Sequence, residues 1–164
     1  MGESATHRQF MEMLDAHGPA LMAMLRRLCR GGPHDAEDAF QDAAVRIWRG
    51  FAGRPRLRNP RGWVMTIGYR AAVDLRQRRR ANEPLPELPD PALRPVDAAA
   101  ESSEAHCRVN AALARLPDAV REVVVLHYLG GLTLRQTAAA MNVSVGTVKS
   151  RLNGGLVKLR SVLE

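Results

Sequence analysis

The apolar positions of this chain recur three or four residues apart, which is the spacing of one face of an α-helix. Between Thr6 and Arg30 a single helical face holds Phe10, Met13, Leu14, Leu21, Met24, Leu25 and Leu28. The longest strand-like run is Val123 to Leu126, and helical patterns flank it on both sides. The sequence therefore predicts an all-α fold.

Turn and capping residues divide the first half of the chain into three helices. Gly18-Pro19 is expected to kink or split the first helix, because proline cannot donate the backbone hydrogen bond. The run from Arg30 to Pro33 ends that helix, and Asp35 is predicted to cap the second. Asn59 and Pro60 suit the cap and the first residue of the third helix.

The second half shows four further helical segments. The first is predicted over Ala105–Leu116, and the second runs from Pro117 to the glycine pair at 130–131. A short helix over Leu134–Met141 and a final helix over Val145–Leu163 complete the chain.

Between the two halves lies a segment that should form neither helix nor sheet. Five of the ten prolines fall between Pro84 and Pro95, and each removes a backbone donor. We interpret residues 83–104 as an extended linker of 22 residues, which could span roughly 70–80 Å when stretched. The prediction is two small helical domains, residues 1–82 and 105–164, joined by a Pro-rich linker.

Charge is divided along the same boundaries. The chain carries 24 Lys and Arg against 17 Asp and Glu, a net charge of +7. Residues 1–82 have a net charge of +7, residues 83–104 of −5, and residues 105–164 of +5. Within the first block, four acids open the second helix, whereas residues 46–80 carry 11 Arg against one acid, Asp74. This polarity predicts two partners, a basic protein surface and a polyanion.

The most specific local pattern spans Thr133 to Leu152. Two short helices are joined by a three-residue turn at Asn142-Val143-Ser144, with small Ala138 four residues before the turn and Val148 six residues after Asn142. This is the spacing of a helix-turn-helix motif, whose second helix can enter a DNA major groove. The alternative is an αα-hairpin in an ordinary helical bundle.

A second candidate nucleic-acid element is the arginine-rich helix from Asn59 to Arg80. Arginines with aromatic side chains can hold single-stranded DNA by charge and stacking. Trp63 lies in the apolar stripe and is better explained as a core residue. Tyr69 lies off that stripe, so its position favours a stacking role.

Nothing in the pattern points to catalysis. Cys29 and Cys107 are interpreted as ordinary reduced thiols, and the five histidines show no metal-ligand spacing. There is no Gly-rich phosphate loop after a strand. The chain shows neither a membrane span nor a secretory signal. We therefore expect a cytoplasmic protein that is not an enzyme, with no catalytic residues, no metal and no cofactor.

Three segments together resemble the extracytoplasmic-function (ECF, group 4) sigma factors of bacterial RNA polymerase. DAEDAFQDAAVRIWR, residues 35–49, resembles the polymerase-docking helix. NPRGWVMTIGYRAAVDLRQRRR, residues 59–80, is similar to the helix that recognises and melts the −10 element. ALARLPDAVREVVVLHYLGGLTLRQTAAAMNVSVGTVKSRL, residues 112–152, is similar to sigma domain 4, which recognises the −35 element.

The resemblance implies a role in transcription initiation and its regulation through promoter recognition. The acidic set would bind the β′ clamp helices of core polymerase; it comprises Asp35, Glu37, Asp38, Gln41 and Asp42. The −10 set would bind promoter DNA beside a base held by the loop 50–58; it comprises Arg58, Asn59, Arg61, Tyr69, Arg70, Arg76, Arg78 and Arg79. The −35 set comprises Thr133, Arg135, Ser144, Gly146, Thr147, Lys149, Ser150 and Arg151.

The resemblance also implies the remaining partners. The polymerase β flap would be a second docking site, and an anti-sigma factor is a further candidate partner. The free protein would be a monomer.

Three positions depart from the pattern of the family. Arg70 stands where an Asn is usual, and Thr137 stands where an apolar residue is usual at a semi-buried site. Asn153-Gly154-Gly155 replaces a basic continuation of the last helix. Since each glycine costs about 1 kcal/mol in a helix interior, this helix is expected to fray or bend near Gly154 and to lose a phosphate contact.

Two other functions remain possible from the sequence. A stand-alone helix-turn-helix regulator would explain residues 112–164 but would leave the acidic set without a role. A degenerate sigma-like protein that titrates a partner would explain the departures in the last helix.

Overall fold

The computed structural model of the chain describes residues 2–51, 57–82 and 104–163. These residues form seven α-helices and one π-helix, with no strand among them. The helices are α1 (Gly2–Leu28), α2 (Pro33–Phe51), α3 (Pro60–Asn82), α4 (Glu104–Ala114), α5 (Asp118–Val124), α6 (Leu134–Met141) and α7 (Val145–Leu163). The all-α prediction is confirmed, whereas the segment predicted as a linker lies outside the described residues up to 103.

Helices α1, α2 and α3 pack against one another as an N-terminal domain. Their shared core is aliphatic and small, with Leu21, Met24, Ile47, Val64 and Met65 fully buried. A Cβ at Gly68 would lie 2.2 Å from Leu21 Cδ1, so a glycine here lets α3 approach α1 closely. This packing fixes which face of α3 remains available to a ligand.

The structure corrects two predictions about this domain, the split of the first helix and the cap of the second. Gly18-Pro19 does not split α1, which runs through Pro19 as one helix. Asp35 is not the cap of α2, because that helix begins at Pro33. The prediction for α3 was right: Pro60 is its first residue, and the Asn59 side-chain oxygen accepts a hydrogen bond from the Gly62 amide at 2.9 Å.

Helices α4 to α7 form a C-terminal domain in which α7 packs on α4, α5 and α6. Between α5 and α6 the chain forms a π-helix over Val125–Leu129, which the sequence pattern did not predict. Single π-turns of this kind are often found at functional sites. Here the π-helix contacts α1, so it lies at the junction between the two domains.

Thr137 of α6 departs from the family pattern by placing a hydroxyl group in the core. The residue is fully buried, and its hydroxyl has no hydrogen-bond partner among the described residues. A buried polar group without a partner is unfavourable. The prediction that threonine weakens this site is consistent with that placement.

The expected fraying of the last helix near Gly154 was wrong. Helix α7 continues from Val145 to Leu163 through both glycines. A Cβ at Gly155 would lie 2.9 Å from side-chain atoms of Val120 and Val124, so this glycine allows α5 and α7 to pack closely. A Cβ at Gly154 would meet nothing within 4 Å. An arginine at position 155 would therefore disrupt the packing of α5 against α7.

The two glycines should respond oppositely to alanine. We expect Gly154→Ala to raise the free energy of unfolding by about 0.5–1 kcal/mol, because alanine is the better helix former and the space is open. We expect Gly155→Ala to lower the free energy of unfolding by about 1–3 kcal/mol, because the methyl group overpacks the α5–α7 contact. Urea unfolding followed by circular dichroism measures both, and equal effects of the two substitutions would contradict this packing.

Candidate nucleic-acid interface

The helix-turn-helix predicted from the sequence is present, with each predicted cap in place. Thr133 and Gln136 form a reciprocal capping box at the start of α6. Asn142 adopts the left-handed conformation, with φ of 53°. Ser144 Oγ accepts a hydrogen bond from the Thr147 amide at 3.0 Å and so caps α7. The start of α7 is accessible at Ser144 and Gly146, whereas Ala138 and Val148 are buried in the C-terminal domain.

Most members of the −35 set are accessible to solvent. Thr133, Arg135, Ser144, Gly146, Lys149 and Ser150 are exposed, and Thr147 and Arg151 are half-buried. Neither Arg135 nor Lys149 is in an ion pair within the described part of the chain. Cations without acidic partners on the open end of a helix suit a phosphate backbone.

The −10 set does not form one uniform surface. Arg58 and Arg70 are exposed, and Asn59 is occupied in capping α3. Arg78 and Arg79 form ion pairs with acids of α2. The remaining members contact the C-terminal domain; they are Arg61, Tyr69 and Arg76. The predicted base-holding loop lies largely outside the described residues, since 52–56 are not described.

Tyr69 is placed differently from the exposed position that its distance from the apolar stripe predicted. It is only 6% exposed, and its hydroxyl donates a hydrogen bond to Glu122 Oε2 at 2.8 Å. Burial, with the charge and the hydrogen bond of Glu122, raises its pKa above the usual value, and Arg76 and Arg151 partly oppose this. Trp63 is half-buried against the core, as the sequence indicated.

The acidic set separates into buried and accessible members. Asp35 is 7% exposed and pairs with Arg79 of α3, so its carboxylate contributes to the α2–α3 packing. Asp42 pairs with Arg46 at 2.8 Å and with Arg78 at 3.2 Å. Three members remain accessible for a partner: Glu37, Asp38 and Gln41.

Sequence reasoning missed a group of buried charges between the domains. Arg121 is 2% exposed and Glu122 is 5% exposed, although both lie in the apolar run that forms α5. Arg121 binds Asp118 at 2.9 Å, and Arg30 binds the same carboxylate at 2.9 Å from the α1–α2 connection. The sequence did contain a signal for this group, namely two adjacent charged residues within an apolar helix. Charged residues at such positions are buried only where they have partners, so a buried ion-pair group could have been predicted.

A cleft of about 360 Å³ lies beside these charges, lined by residues of both domains. Cys29 lies in its wall, and burial together with the charge of Asp35 raises the pKa of its thiol to about 11. At neutral pH this thiol is therefore protonated and a weak nucleophile. No group of three or more metal-ligating side chains occurs within residues 2–51, 57–82 and 104–163.

None of the described helices is both long enough and apolar enough to span a membrane.

Both domains match known protein families. Residues 13–82 match the family described as Sigma-70 region 2, and residues 108–159 match the family described as Sigma-70, region 4. These two matches contain α3 and the helix-turn-helix respectively.

Proteins named as RNA polymerase sigma factors are similar to this chain over most of their length. The ECF RNA polymerase sigma factor SigK of Mycobacterium sp. (strain KMS) is 30% identical over 166 residues, covering 94% of this chain and 82% of that protein. The RNA polymerase sigma-E factor of Streptomyces avermitilis is 31% identical over 157 residues, covering 95% of this chain and 86% of that protein.

Two solved structures share the architecture. CnrH, in complex with the cytosolic domain of CnrY, has a TM-score of 0.63 and 26% identity, covering 99% of this chain and 94% of that chain. The sigma factor RpoE of Bartonella quintana, in complex with the anti-sigma factor NepR, has a TM-score of 0.71 and 23% identity, covering 95% and 97%. Since its two domains and its relatives agree over nearly all of its length, the chain belongs to the ECF family of RNA polymerase sigma factors.

Proposed function

We propose that this sigma factor, a group 4 member, recruits core RNA polymerase to promoters with separate −10 and −35 elements. The observation that carries the proposal is the helix-turn-helix, in which Arg135 and Lys149 are exposed and form no ion pair with the residues that the structure describes. Binding to duplex DNA accounts both for the motif and for the exposed cations on it. The −35 set would contact phosphates and base edges in the major groove.

The domain limits suggested by the sequence fit this division of labour. Residues 1–82 would dock on polymerase and hold the −10 element, residues 83–104 would link the domains, and residues 105–164 would recognise the −35 element. Helix α4 begins at Glu104, the last residue of that linker. Two weak contacts joined by one tether reinforce each other through effective concentration.

The −10 element would be held by α3 and the preceding loop. Arg70 is exposed on α3 and stands where the family has Asn, so it would present a charge where relatives present an amide. Arg58 would accompany the base held by the loop 50–58. Arg61, Tyr69, Arg76, Arg78 and Arg79 would join them once their present partners are released.

Partners and location follow from the same proposal. The accessible members of the acidic set would bind the β′ clamp helices, and the C-terminal domain would bind the β flap. An anti-sigma factor is a further partner, supported by the similar sigma factor RpoE of Bartonella quintana, which was co-crystallised with the anti-sigma factor NepR. The protein would act as a monomer in the cytoplasm, as a non-catalytic initiation factor without a cofactor.

Transcription in vitro tests the proposal directly. Core polymerase from the same organism is incubated with a library of promoter fragments, with and without this protein, and transcript starts are sequenced. We expect new transcripts that share two conserved blocks upstream of the start. Stable polymerase binding without such transcripts would favour a titrating protein, and tight duplex binding without polymerase binding would favour a stand-alone regulator.

A further inference from the structure

The cleft beside Cys29 has the size and the lining of a small-molecule site. Its volume of about 360 Å³ falls within the range of roughly 300–1,000 Å³ that is typical of ligand pockets. One part of the lining is apolar and comes from α1 and α3; it comprises Leu28, Ala72, Val73 and Leu75. The charged part contains five arginines and three acids, which is an excess of two positive charges.

Two of the five arginines share a single carboxylate. Arg30 Nη2 and Arg121 Nη2 each lie 2.9 Å from the same atom, Asp118 Oδ1. Arg121 is 2% exposed, and its Nε has no hydrogen-bond partner among the residues that the structure describes. Burial, followed by the charge of Arg30, lowers the pKa of Arg121 below its usual value. One positive charge is therefore without a counter-ion of its own, and one buried donor is unused.

Arg80 supplies the second uncompensated charge. It is exposed near the C-terminal end of α3 and forms no ion pair within residues 2–51, 57–82 and 104–163. The other two arginines of the lining are each matched by an acid, because Arg76 binds Glu122 and Arg79 binds Asp35. The excess charge therefore lies on Arg80 and on the two arginines that share Asp118.

We propose that the cleft binds a small phosphorylated compound, with its phosphoryl group at the arginines and its apolar body against α1 and α3. A phosphoryl group carries a charge of about −1.5 to −2 at neutral pH, which matches the excess of two positive charges. The planar guanidinium group binds phosphate oxygens in a bidentate geometry. A single carboxylate carries one negative charge and would leave half of the excess uncompensated.

The cleft fits a small compound better than the backbone of a nucleic acid. Arg121 and Tyr69 in its wall are only 2% and 6% exposed, so a strand has no open surface to follow there. Single-stranded nucleic acid is held in charged grooves with exposed aromatic faces on which bases stack. Buried walls and a matched charge favour one discrete phosphoryl group.

Titration with phenyl phosphate, a phosphoryl group on an aromatic ring, tests the site in the full-length chain. Isothermal titration calorimetry measures the affinity, and inorganic phosphate serves as the ligand that lacks an apolar body. We expect phenyl phosphate to bind with a Kd below about 1 mM and at least about tenfold more tightly than inorganic phosphate. In a ¹⁵N spectrum the Nε–H resonance of Arg121 should shift, because the phosphoryl charge would lie close to it.

Arg80→Gln and Arg70→Gln are a matched pair of variants. Both arginines are exposed on α3 and form no ion pair with the described residues, but only Arg80 lines the cleft. We expect Arg80→Gln to weaken the binding of phenyl phosphate about tenfold and Arg70→Gln to leave it unchanged. Equal weakening by the two variants would mean that the anion binds the basic surface at large, and it would overturn the proposal.

A second substitution tests the other end of the cleft. The Arg30 side chain is 50% exposed, and Arg30→Gln leaves the Arg121–Asp118 pair in place. We expect it to weaken binding about tenfold as well, because Asp118 would then neutralise Arg121 alone. Unchanged affinity in this variant, with its helix content confirmed by circular dichroism, would contradict the assignment.

Two further results would overturn the proposal. One is the absence of binding by the wild-type chain or an unshifted Arg121 resonance. The other is displacement of phenyl phosphate by an equimolar amount of hexathymidylate, which would assign the cleft to nucleic acid. The site does not depend on promoter recognition, so the transcription assay reports on the proposed function separately.

Discussion

Replacing Glu37 and Asp38 together with arginine is expected to weaken binding to core polymerase by at least about a hundredfold. The two side chains are the exposed carboxylates of the acidic set, and reversing both would place four units of charge change against a basic partner surface. Like charges brought together in an interface cost several kcal/mol. Co-elution of the variant with core polymerase in gel filtration, followed by titration, measures the loss.

The fold should survive this double replacement. Within the described residues Glu37 pairs only with His34 at 3.7 Å, and Asp38 only with Arg79 at 3.9 Å. Asp35 is unsuitable for the same test, because its buried ion pair with Arg79 makes it part of the α2–α3 packing. A matched control is Glu12→Arg with Asp15→Arg, which reverses two exposed acids on α1. Undiminished polymerase binding by the Glu37/Asp38 variant would remove α2 from the docking surface.

Replacing Arg135 and Lys149 together with alanine is expected to weaken binding to a −35 duplex by one to two orders of magnitude. The two cations are exposed on α6 and α7 and lack ion-pair partners among the described residues, so their charge is available to DNA. If both contact phosphates, the slope of log affinity against log salt should fall by about two. Arg151 is a poorer choice, because it is half-buried and its charge acts on Tyr69 of α3.

The control for this experiment removes the same charge from other surfaces of the C-terminal domain. Arg115 and Lys158 are exposed, and both lie outside the helix-turn-helix motif of residues 133–152. Arg115→Ala with Lys158→Ala should therefore retain most of the duplex affinity. A salt slope unchanged by Arg135→Ala with Lys149→Ala would mean that these side chains do not contact phosphate.

Local features of the fold were predictable because their causes are local. The capping box at Thr133, the left-handed Asn142 and the Asn59 cap each depend on residues within four positions in the chain. The split expected at Pro19 is absent for the opposite reason. The packing of α1 against α2 and α3 keeps the helix continuous where the isolated sequence favours a break.

The residues of the candidate site were predictable from the sequence, but the ion pairs that they form were not. The arginines of α3 were correctly placed on one helix, yet the structure pairs Arg79 with Asp35, Arg78 with Asp42 and Arg76 with Glu122. These pairs join residues 36 to 46 positions apart. The choice among several acids depends on how the helices cross.

The sequence by itself determined most of the helical segments, the caps at Asn59, Thr133 and Ser144, the helix-turn-helix and the family, because periodicity, capping and motif spacing act over a few residues. The tertiary structure alone decided that Gly155 is a packing position, that Asp35 is structural, and that Glu122 covers Tyr69 and Arg76. The physical reason is that burial and ion pairing depend on distances between helices. Those distances are set by the packing of the whole chain and by no single segment of it.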